Sequence, residues 1–350
     1  METNTAVRLH GVNDLRVEEL EVPTVGPGDV LVKPALVGIC GSDLHFLHTG
    51  AIGSYILRKP IVLGHEISAV VCQLGEGVEG LKVGDHVSVD PMRPCLDCFY
   101  CARKRYNLCT RQHIAGIPHT DGAFARFMVT PASSCFKLPD GCSLEEGAFM
   151  EPLSISVWGF RRCPVIPGEK VVVIGAGTIG LLAAQAAKAY GASKVMVVDV
   201  VQSRLDLATQ LGVDLTLKID PKAETSQNAE AIKAALGSEA DQCVECSGAP
   251  GAVDTAILSC RRAGRLLMLG LGEMKMDVNL GLAALNEVDV IGAICNNGVF
   301  PECVELVSSG KVKVTPLISK KMPLRQVKEA LKVLEQDSRD CIKILIECQK

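Results

Sequence analysis

The chain has 350 residues, of which 36 are Lys or Arg and 40 are Asp or Glu, so its formal net charge is −4. This length predicts two domains of about 150 residues each. The near balance of charges, without a run of like charges, argues against a nucleic-acid or anionic-membrane partner. The N-terminus lacks the basic and apolar segments of a secretory signal, and the longest apolar stretches are shorter than the ~18 residues that span a bilayer. We therefore expect a cytoplasmic protein whose 16 cysteines are thiols or metal ligands rather than disulfides.

The first part of the chain, to about residue 150, is rich in Gly, Pro and β-branched residues. Short alternating runs such as DVLVKPALVG (29–38) and DHVSVDP (85–91) are typical of β-strands. This part therefore predicts a β-rich, barrel-like domain.

Four cysteines lie close together in a lobe of about residues 91–112: Cys95, Cys98, Cys101 and Cys109. The spacing C-x2-C-x2-C-x7-C allows four thiolates of one loop to surround a zinc ion. The alternatives are an iron–sulfur cluster, for which the bacterial spacing is C-x2-C-x2-C-x3-C-P, and unliganded thiols. Four thiolates leave no coordination position for a substrate, so this pattern predicts a structural zinc ion. Any metal-assisted chemistry then requires a second site.

The character of the sequence changes at about Val165. VVVIGAGTIGLLAAQAAKAYG reads as a buried strand, a glycine turn and an alanine-rich helix, and KVMVVDV (194–200) as the next buried strand. The alternation continues to GRLLMLG, which predicts a doubly wound parallel sheet covered by helices on both faces. After about Asn296, two amphipathic helical segments and the strand-like KILIEC are expected to return to the first domain.

A dinucleotide site is predicted where the first of these strands meets its helix. Gly175, Gly177 and Gly180 form G-x-G-x-x-G between a strand and a helix, a context that favours pyrophosphate binding over an ordinary glycine turn. Asp199 ends the next strand, where a carboxylate can accept hydrogen bonds from the ribose hydroxyls and repel a 2′-phosphate. The predicted cofactor is therefore NAD rather than NADP. Arg204 lies close enough in sequence to offset part of that repulsion; the alternatives are that it packs on the adenine or lies in solvent.

In its motifs the chain resembles the zinc-dependent medium-chain dehydrogenases, and among them it is most similar to the polyol dehydrogenases. The motifs that carry the resemblance occur in family order: CGSDLH, GHEISAVVCQLGEGVEGLKVGDHV, the four-cysteine lobe, KLPD, LEEGAFMEPLS and VIGAGTIGL. The resemblance implies a GroES-like catalytic domain over residues 1–154, a Rossmann domain over 155–294 and a return to the catalytic domain over 295–350. It also implies a homo-oligomer, either a tetramer or a dimer.

The same resemblance implies a catalytic zinc ion at the second site. Cys40 and His65 are expected as its ligands, Glu66 as a direct or water-mediated alternate ligand, and Glu151 as a ligand or as the residue that holds a water. A set of one thiol, one imidazole and one carboxyl group leaves an open position. A metal ion with such an open position lowers the pKa of a hydroxyl group and so favours hydride transfer to the cofactor.

Two further sets of residues follow from the family resemblance. Ser42 and His45 are expected to relay the released proton to solvent through a hydroxyl and an imidazole. A loop hydrogen bond and a surface histidine are the alternatives. The expected cofactor-binding residues beyond those already named are Thr178, Ile179, Cys246, Leu269, Gly270, Leu271, Ile294 and Asn296.

The chain departs from the family pattern at three places. Ala69 stands where the zinc signature usually has glycine, Phe46 where polyol dehydrogenases have tyrosine, and Cys295 with Asn296 where they have an arginine near the sugar hydroxyls. The predicted function is oxidation of a secondary alcohol of a polyol. The alternatives are an aldonate, a vicinal diol or threonine as the substrate, and a nucleotide-binding structural protein without activity.

Overall fold

The computed structural model describes residues 2–272, 275–337 and 339–350. The chain forms two compact units, a first unit of residues 1–151 with 317–350 and a second unit of residues 152–316. Each unit has its own hydrophobic core.

The described ranges contain twenty strands and eleven α-helices. The strands are β1 (Asn4–Gly11), β2 (Asp14–Leu20), β3 (Asp29–Gly38), β4 (Ala51–Ile52), β5 (Tyr55–Ile56), β6 (Ile61–Val62), β7 (Glu66–Leu74), β8 (His86–Val89), β9 (Met92–Arg93), β10 (His113–Ile114), β11 (Met128–Pro131), β12 (Cys135–Lys137), β13 (Lys170–Ile174), β14 (Lys194–Asp199), β15 (Leu215–Lys218), β16 (Ala240–Glu245), β17 (Cys260–Met268), β18 (Asp289–Gly292), β19 (Ile318–Pro323) and β20 (Lys343–Glu347). The helices are α1 (Gly41–Thr49), α2 (Phe99–Ala102), α3 (Leu144–Gly147), α4 (Met150–Arg162), α5 (Thr178–Ala189), α6 (Gln202–Gln210), α7 (Thr225–Leu236), α8 (Ala252–Ser259), α9 (Leu280–Leu285), α10 (Phe300–Ser308) and α11 (Val327–Gln336). None of the described helices combines the length and apolar character needed to cross a membrane.

The main sheet of the first unit has seven strands in the order β12-β8-β7-β3-β20-β19, with β11 also pairing β3. The predicted β-rich domain is therefore confirmed. Strand β3 lies in the middle of this sheet, and its apolar residues are buried on both faces, including Val30, Val32 and Val37. Its end at Gly38 pairs with Glu66 on one side and with Leu345 on the other. This pairing brings the start of β7 and the C-terminal strand β20 to the same place.

The second unit is built on a six-stranded sheet in the order β15-β14-β13-β16-β17-β18, and every neighbouring pair of strands is parallel. The predicted Rossmann sheet is confirmed. The continuous apolar run 171–174 is buried because helices cover both faces of such a sheet. The strand order reverses between β13 and β16, and in this fold ligands bind beyond the carboxyl ends of the strands at that point.

The second crossing between the units lies at residue 316, not at 295 as the sequence suggested. Residues 295–316 stay with the second unit because their side chains and backbone bond to it. Glu302 on α10 accepts hydrogen bonds from Tyr190 at 2.7 Å and from Arg161 at 2.7 Å. The Gln185 side chain donates to the backbone oxygen of Lys313 and accepts from its amide. These contacts involve side chains far apart in sequence, so helix periodicity alone did not indicate them.

Candidate metal centres and cofactor site

The four cysteines of the 91–112 lobe converge in the structure. The sulfur atoms of Cys95, Cys98, Cys101 and Cys109 all lie within 4.8 Å of one another. Cys95 Sγ is 3.4 Å from Cys109 Sγ and 4.0 Å from Cys101 Sγ. Four sulfurs bound to zinc at about 2.3 Å in a tetrahedron are about 3.8 Å apart. The lobe therefore has the donor atoms and the spacing of a closed four-thiolate zinc site.

Backbone hydrogen bonds favour the thiolate form of one of these cysteines. Cys98 precedes the short helix α2, and the backbone amide of Cys101, followed by those of Thr110 and Tyr100, lowers the pKa of its thiol to about 6. A thiolate is the form that binds metal, so donated backbone hydrogen bonds favour metal binding at Cys98. The helical turn that follows Cys98 brings Cys101 three residues later to the same side of the loop.

A second group of potential ligands forms around the end of β3. The Cys40 sulfur, a ring nitrogen of His65 and a carboxylate oxygen of Glu66 lie within 4.8 Å of one another. His65 and Glu66 are 6% and 2% exposed. One soft sulfur, one imidazole and one carboxylate make a donor set that suits zinc and leaves its fourth position open.

The position of Cys40 follows from the start of helix α1. Cys40 is the N-cap residue, and its backbone amide donates to the Asp43 carboxylate at 3.0 Å. Asp43 is fully buried and its other oxygen accepts from the amide of Gly64 at 3.3 Å. The carboxylate of Asp43 therefore connects the segment of Cys40 to the segment of His65. Sequence analysis did not identify Asp43, although an acidic residue three positions after an N-cap is a recognisable capping signal.

The imidazole of His65 lies between Asp43 and Ser42. His65 Nδ1 is 3.7 Å from Asp43 Oδ1 without a hydrogen bond, and the Ser42 hydroxyl is 3.4 Å from His65 Nε2. Burial alone would lower the pKa of His65, but Asp43, Cys40 and Glu151 act in the opposite direction, and the net pKa is well above the usual value. Only a neutral imidazole binds a metal, so metal binding here competes with a proton.

Glu66 forms a buried ion pair with Lys343. The Lys343 ammonium group donates to both oxygens of Glu66 at 2.7 Å and to the backbone oxygen of Ile39 at 2.9 Å. Lys343 is only 4% exposed. A Cβ atom at Gly38 would lie 1.9 Å from Glu66 Oε2, so glycine is required opposite Glu66 in the sheet. Sequence analysis missed Lys343, for which the only signal is a lysine at the start of an otherwise apolar strand.

Glu151 lies outside the group of atoms formed by Cys40, His65 and Glu66. It is nevertheless close enough to interact electrostatically with His65, Glu66 and Lys343. Burial raises the pKa of the Glu151 carboxyl to about 7, and the nearby positive charge of His65 acts against that increase. The structure therefore places Glu66 rather than Glu151 beside the thiol and the imidazole.

The two expected relay residues lie on helix α1. Ser42 is half-buried next to His65, and His45 is exposed three residues later on the same helix. Residues three apart lie on the same side of a helix. Ser42 and His45 therefore lead from the buried ligand group toward the surface.

The glycine turn has the close backbone contacts that its motif predicts. Gly175 has φ +100°, and a Cβ atom there would lie 2.9 Å from the amide nitrogen of Ser247. A Cβ atom at Gly180 would lie 1.7 Å from the Gly175 oxygen. Both glycines are therefore needed for helix α5 to begin directly against the end of β13.

A cavity of about 140 Å³ lies at the carboxyl ends of the central strands of the second unit. Its lining includes Gly175, Asp199, Ser247 and Thr255. Asp199 accepts hydrogen bonds from the amides of Ala176 at 2.6 Å and Val201 at 2.8 Å, so its carboxylate is held at the edge of the glycine turn. This is the place where a Rossmann fold binds the adenosine half of a dinucleotide.

Arg204 lies beside this carboxylate, with its Nη1 atom 4.0 Å from Asp199 Oδ2. Its side chain is 22% exposed. A cation at this distance reduces the negative potential of Asp199 without removing it.

The other expected cofactor-binding residues fall on segments at the same edge of the sheet. Thr178 and Ile179 begin helix α5, and Cys246 follows β16. Leu269 and Gly270 follow β17 and donate their amides to the Glu245 backbone oxygen at 2.8 and 2.9 Å. Leu271 and Ile294 are exposed, whereas Asn296 is buried.

Profiles of two known families match most of the chain. The family described as alcohol dehydrogenase GroES-like domain matches residues 26–140, and the family described as zinc-binding dehydrogenase matches residues 178–309. The chain is 38% identical to a sorbitol dehydrogenase of Bombyx mori over 100% of both chains. It is 39% identical to a sorbitol dehydrogenase of Arabidopsis thaliana over 98% of this chain and 95% of the other.

The fold is also similar to that of a dehydrogenase of known structure that is named for a diol rather than for sorbitol. The crystal structure of 2R,3R-butanediol dehydrogenase from Bacillus subtilis superimposes with a TM-score of 0.87 at 31% identity, over 98% of this chain and 99% of the other.

Proposed function

This chain belongs to the zinc-binding dehydrogenase family, and we propose that it oxidises a secondary alcohol of a polyol such as sorbitol or xylitol to the ketose, with NAD as the hydride acceptor. The observation that carries the proposal is the identity of 38–39% with two sorbitol dehydrogenases over essentially the whole chain. The matched ranges extend over 100% and 98% of this chain, so both the unit with the metal-ligand groups and the unit with the glycine turn lie within them.

We place the catalytic zinc at the cluster of Cys40, His65 and Glu66, with Glu151 as the nearby second carboxylate. A zinc ion bound there supplies Lewis acidity, which lowers the pKa of a hydroxyl group as it lowers that of water from about 15.7 to about 7. Cys40 and His65 provide the donors, and Lys343 holds the Glu66 carboxylate in a fixed position.

Removal of the alcohol proton is assigned to residues of helix α1. The Ser42 hydroxyl lies beside His65, so it can accept the proton and pass it toward the exposed imidazole of His45. An imidazole exchanges protons with solvent near neutral pH. Without such a route the proton would remain in the site and oppose hydride transfer.

NAD is proposed to bind at the end of the parallel sheet, with its adenosine half in the cavity beside Asp199. A 2′-phosphate about 4 Å from that carboxylate is disfavoured by about 4 kcal/mol per unit charge at an effective dielectric near 20. Arg204 offsets part of this repulsion, so the proposed preference for NAD over NADP is strong but not absolute.

The compartment and the assembly are also proposals. None of the sixteen cysteines, all of which lie in the described part of the chain, forms a disulfide, and this supports a reducing compartment such as the cytosol. The family resemblance supports a homo-oligomer, a tetramer or a dimer. Light scattering coupled to size-exclusion chromatography would measure its mass.

The decisive experiment is a kinetic panel with NAD, measured as absorbance of NADH at 340 nm. It compares polyols, aldonates, vicinal diols and threonine at matched concentrations, with NADP as the second cofactor. We expect the highest kcat/KM with a polyol and NAD. Oxidation of aldonates but not of sorbitol or xylitol would contradict the proposed substrate class. NADP used as well as NAD would contradict the role given to Asp199.

A vicinal diol is the second candidate substrate. It is favoured by the structural similarity to a butanediol dehydrogenase and by the absence of the sugar-binding arginine at Cys295 and Asn296. A small diol needs fewer polar contacts than a six-carbon polyol. The two candidates are separated in the same panel by the ratio of kcat/KM for butane-2,3-diol and for sorbitol.

A further inference from the structure

A buried carboxylate of the second unit is not used by the proposed chemistry. Glu245 is the last residue of the central strand β16 and is 0% exposed. Its Oε1 atom accepts three hydrogen bonds, from the Ser247 amide at 2.7 Å, the Ser247 hydroxyl at 2.5 Å and the Gly248 amide at 2.9 Å. This one oxygen therefore fixes the turn that follows β16.

The other oxygen of the same carboxylate is unpaired. Glu245 Oε2 is buried and has no hydrogen-bond partner among the described residues. It packs against Gly270, where a Cβ atom would lie 2.4 Å from it and 2.4 Å from the Gly248 amide nitrogen. A buried charged oxygen without a partner destabilises a fold, so stability alone does not account for this side chain.

The turn fixed by Glu245 forms part of the nucleotide cavity. Ser247 lines that cavity together with Asp199, and its amide nitrogen lies where a side chain on Gly175 would collide. The backbone of Glu245 also accepts the amides of Leu269 and Gly270. Glu245 thus bonds directly to two segments, the turn at Ser247 and Gly248 and the segment after β17. Through Ser247 it also borders the glycine turn.

We propose that Glu245 is a positioning residue of the dinucleotide site, which holds the Ser247 turn and the 269–270 segment in the arrangement that binds the cofactor. The inference depends on the proposed function only in taking a nicotinamide dinucleotide as the ligand. The carboxylate is enclosed by protein atoms, so it acts on the cofactor through these two segments and not by contact. A carboxylate suits this position because one oxygen receives three donors, while the other oxygen carries no hydrogen and fits against the backbone at Gly270.

The test is ligand binding to the zinc-loaded protein in the absence of any alcohol. Glu245→Gln keeps the shape of the side chain, but it removes the charge that attracts three donors and places an amino group beside Gly270 or the turn. The matched control is Glu169→Gln. Glu169 is also a buried glutamate of the second unit; it directly precedes β13 and forms an ion pair with Arg265. ADP-ribose affinity is measured by calorimetry, NADH affinity by nicotinamide fluorescence, and the melting temperature in parallel.

We expect Glu245→Gln to weaken ADP-ribose and NADH binding at least about tenfold, and to raise the KM for NAD while kcat at saturating NAD changes less than about threefold. Glu169→Gln is expected to lower the melting temperature but to keep both affinities within about twofold. Gly270→Ala adds a Cβ atom against Glu245 Oε2 and is expected to weaken binding as Glu245→Gln does. If Glu245→Gln does not fold, Gly270→Ala takes its place in the test.

The inference is overturned if Glu245→Gln binds both ligands as the unmodified protein does, or if Glu169→Gln weakens binding equally, since the effect would then be a general loss of stability. These outcomes are separate from failure of the proposed function. An unmodified protein that binds NADH but oxidises no polyol contradicts the substrate and leaves Glu245 as a positioning residue.

Discussion

The two ligand clusters of the first unit differ in how the chain builds them. The four cysteines of the lobe come from fifteen consecutive residues, 95–109, and a single loop with one short helix brings them together. Cys40, His65 and Glu66 are placed by different elements, and the ion pair of Glu66 depends on Lys343, 277 residues later in the chain.

This difference fits a structural role for the four-cysteine lobe and a catalytic role for the cluster at Cys40. Four thiols around one point can close a metal site completely. We expect the loop to depend on the metal for its stability because its large apolar side chains Leu96, Phe99 and Leu108 are exposed. The cluster at Cys40 is held by the sheet, by Asp43 and by Lys343, so its side chains are positioned before any metal binds. Loss of the first site should therefore affect folding, and loss of the second site should affect the reaction.

The largest expected effect is on the lobe. Cys98→Ser is expected to reduce bound zinc from about two ions to about one ion per chain and to lower the melting temperature by at least about 10 °C, because a structural zinc site contributes directly to folding. Metal analysis and circular dichroism measure both. Cys72→Ser, a cysteine outside both clusters, is the control. A Cys98→Ser protein with full zinc content, unchanged melting and normal activity would rule out the structural role.

The next effect is on activity without loss of the fold. His65→Ala removes a donor of the second cluster and is expected to lower kcat/KM at least about 1,000-fold, since metal Lewis acidity is the main contribution to lowering the barrier. Circular dichroism and the zinc content of the lobe should stay close to normal. Retention of more than a tenth of the activity would show that the reaction occurs elsewhere.

Breaking the buried ion pair should reduce stability. Lys343→Met leaves the Glu66 carboxylate buried without its counter-ion, which is expected to cost about 3–5 kcal/mol of unfolding free energy in urea titrations. Lys321→Met on the neighbouring strand β19 removes an exposed pair with Glu145 and should cost less than about 1 kcal/mol. The double variant Glu66→Gln/Lys343→Met should recover part of the loss. Equal effects of the two lysine substitutions would mean that the burial of the Glu66 pair has no energetic consequence.

The smallest effect concerns the relay on α1. Ser42→Ala is expected to lower kcat about tenfold to a hundredfold with both zinc ions retained, because a hydroxyl that passes the proton is lost. His45→Ala should have a smaller effect that small imidazole buffers partly restore. His48→Ala, on the same helix but paired with Glu335, serves as the control. Normal kcat in Ser42→Ala would leave Ser42 as a loop hydrogen-bonding residue only.

The sequence predicted the parts of the molecule that depend on neighbouring residues. The cysteine lobe and the glycine turn both follow from spacing within one segment, and the structure brings those atoms together. The parallel sheet followed from apolar strands alternating with helices. Grouping Cys40 with His65 required a family resemblance, because 25 residues separate them and no local pattern connects them.

What the sequence did not indicate depends on tertiary pairing. Lys343 meets Glu66 only because β20 inserts beside β3, and no periodicity specifies that partner. Tertiary pairing also explains why Glu66 rather than Glu151 lies beside the thiol and the imidazole. The register of β7 against Gly38 decides where Glu66 points. The late crossing at residue 316 likewise reflects hydrogen bonds of Glu302 and Gln185 that no local pattern contains.

The insertion of β20 between β3 and β19 has a consequence for how this protein is made. During synthesis, β3 (29–38) and β7 (66–74) emerge from the ribosome long before β20 (343–347), the strand that completes their sheet. Until then one edge of β3 is incompletely paired and the Glu66 carboxylate lacks its ammonium partner, so the nascent first unit exposes a strand edge that can associate with other chains. A ribosome-bound chain halted before residue 343 should therefore depend on chaperones, whereas the parallel sheet of the second unit, whose strands all lie between residues 170 and 292, can already be complete.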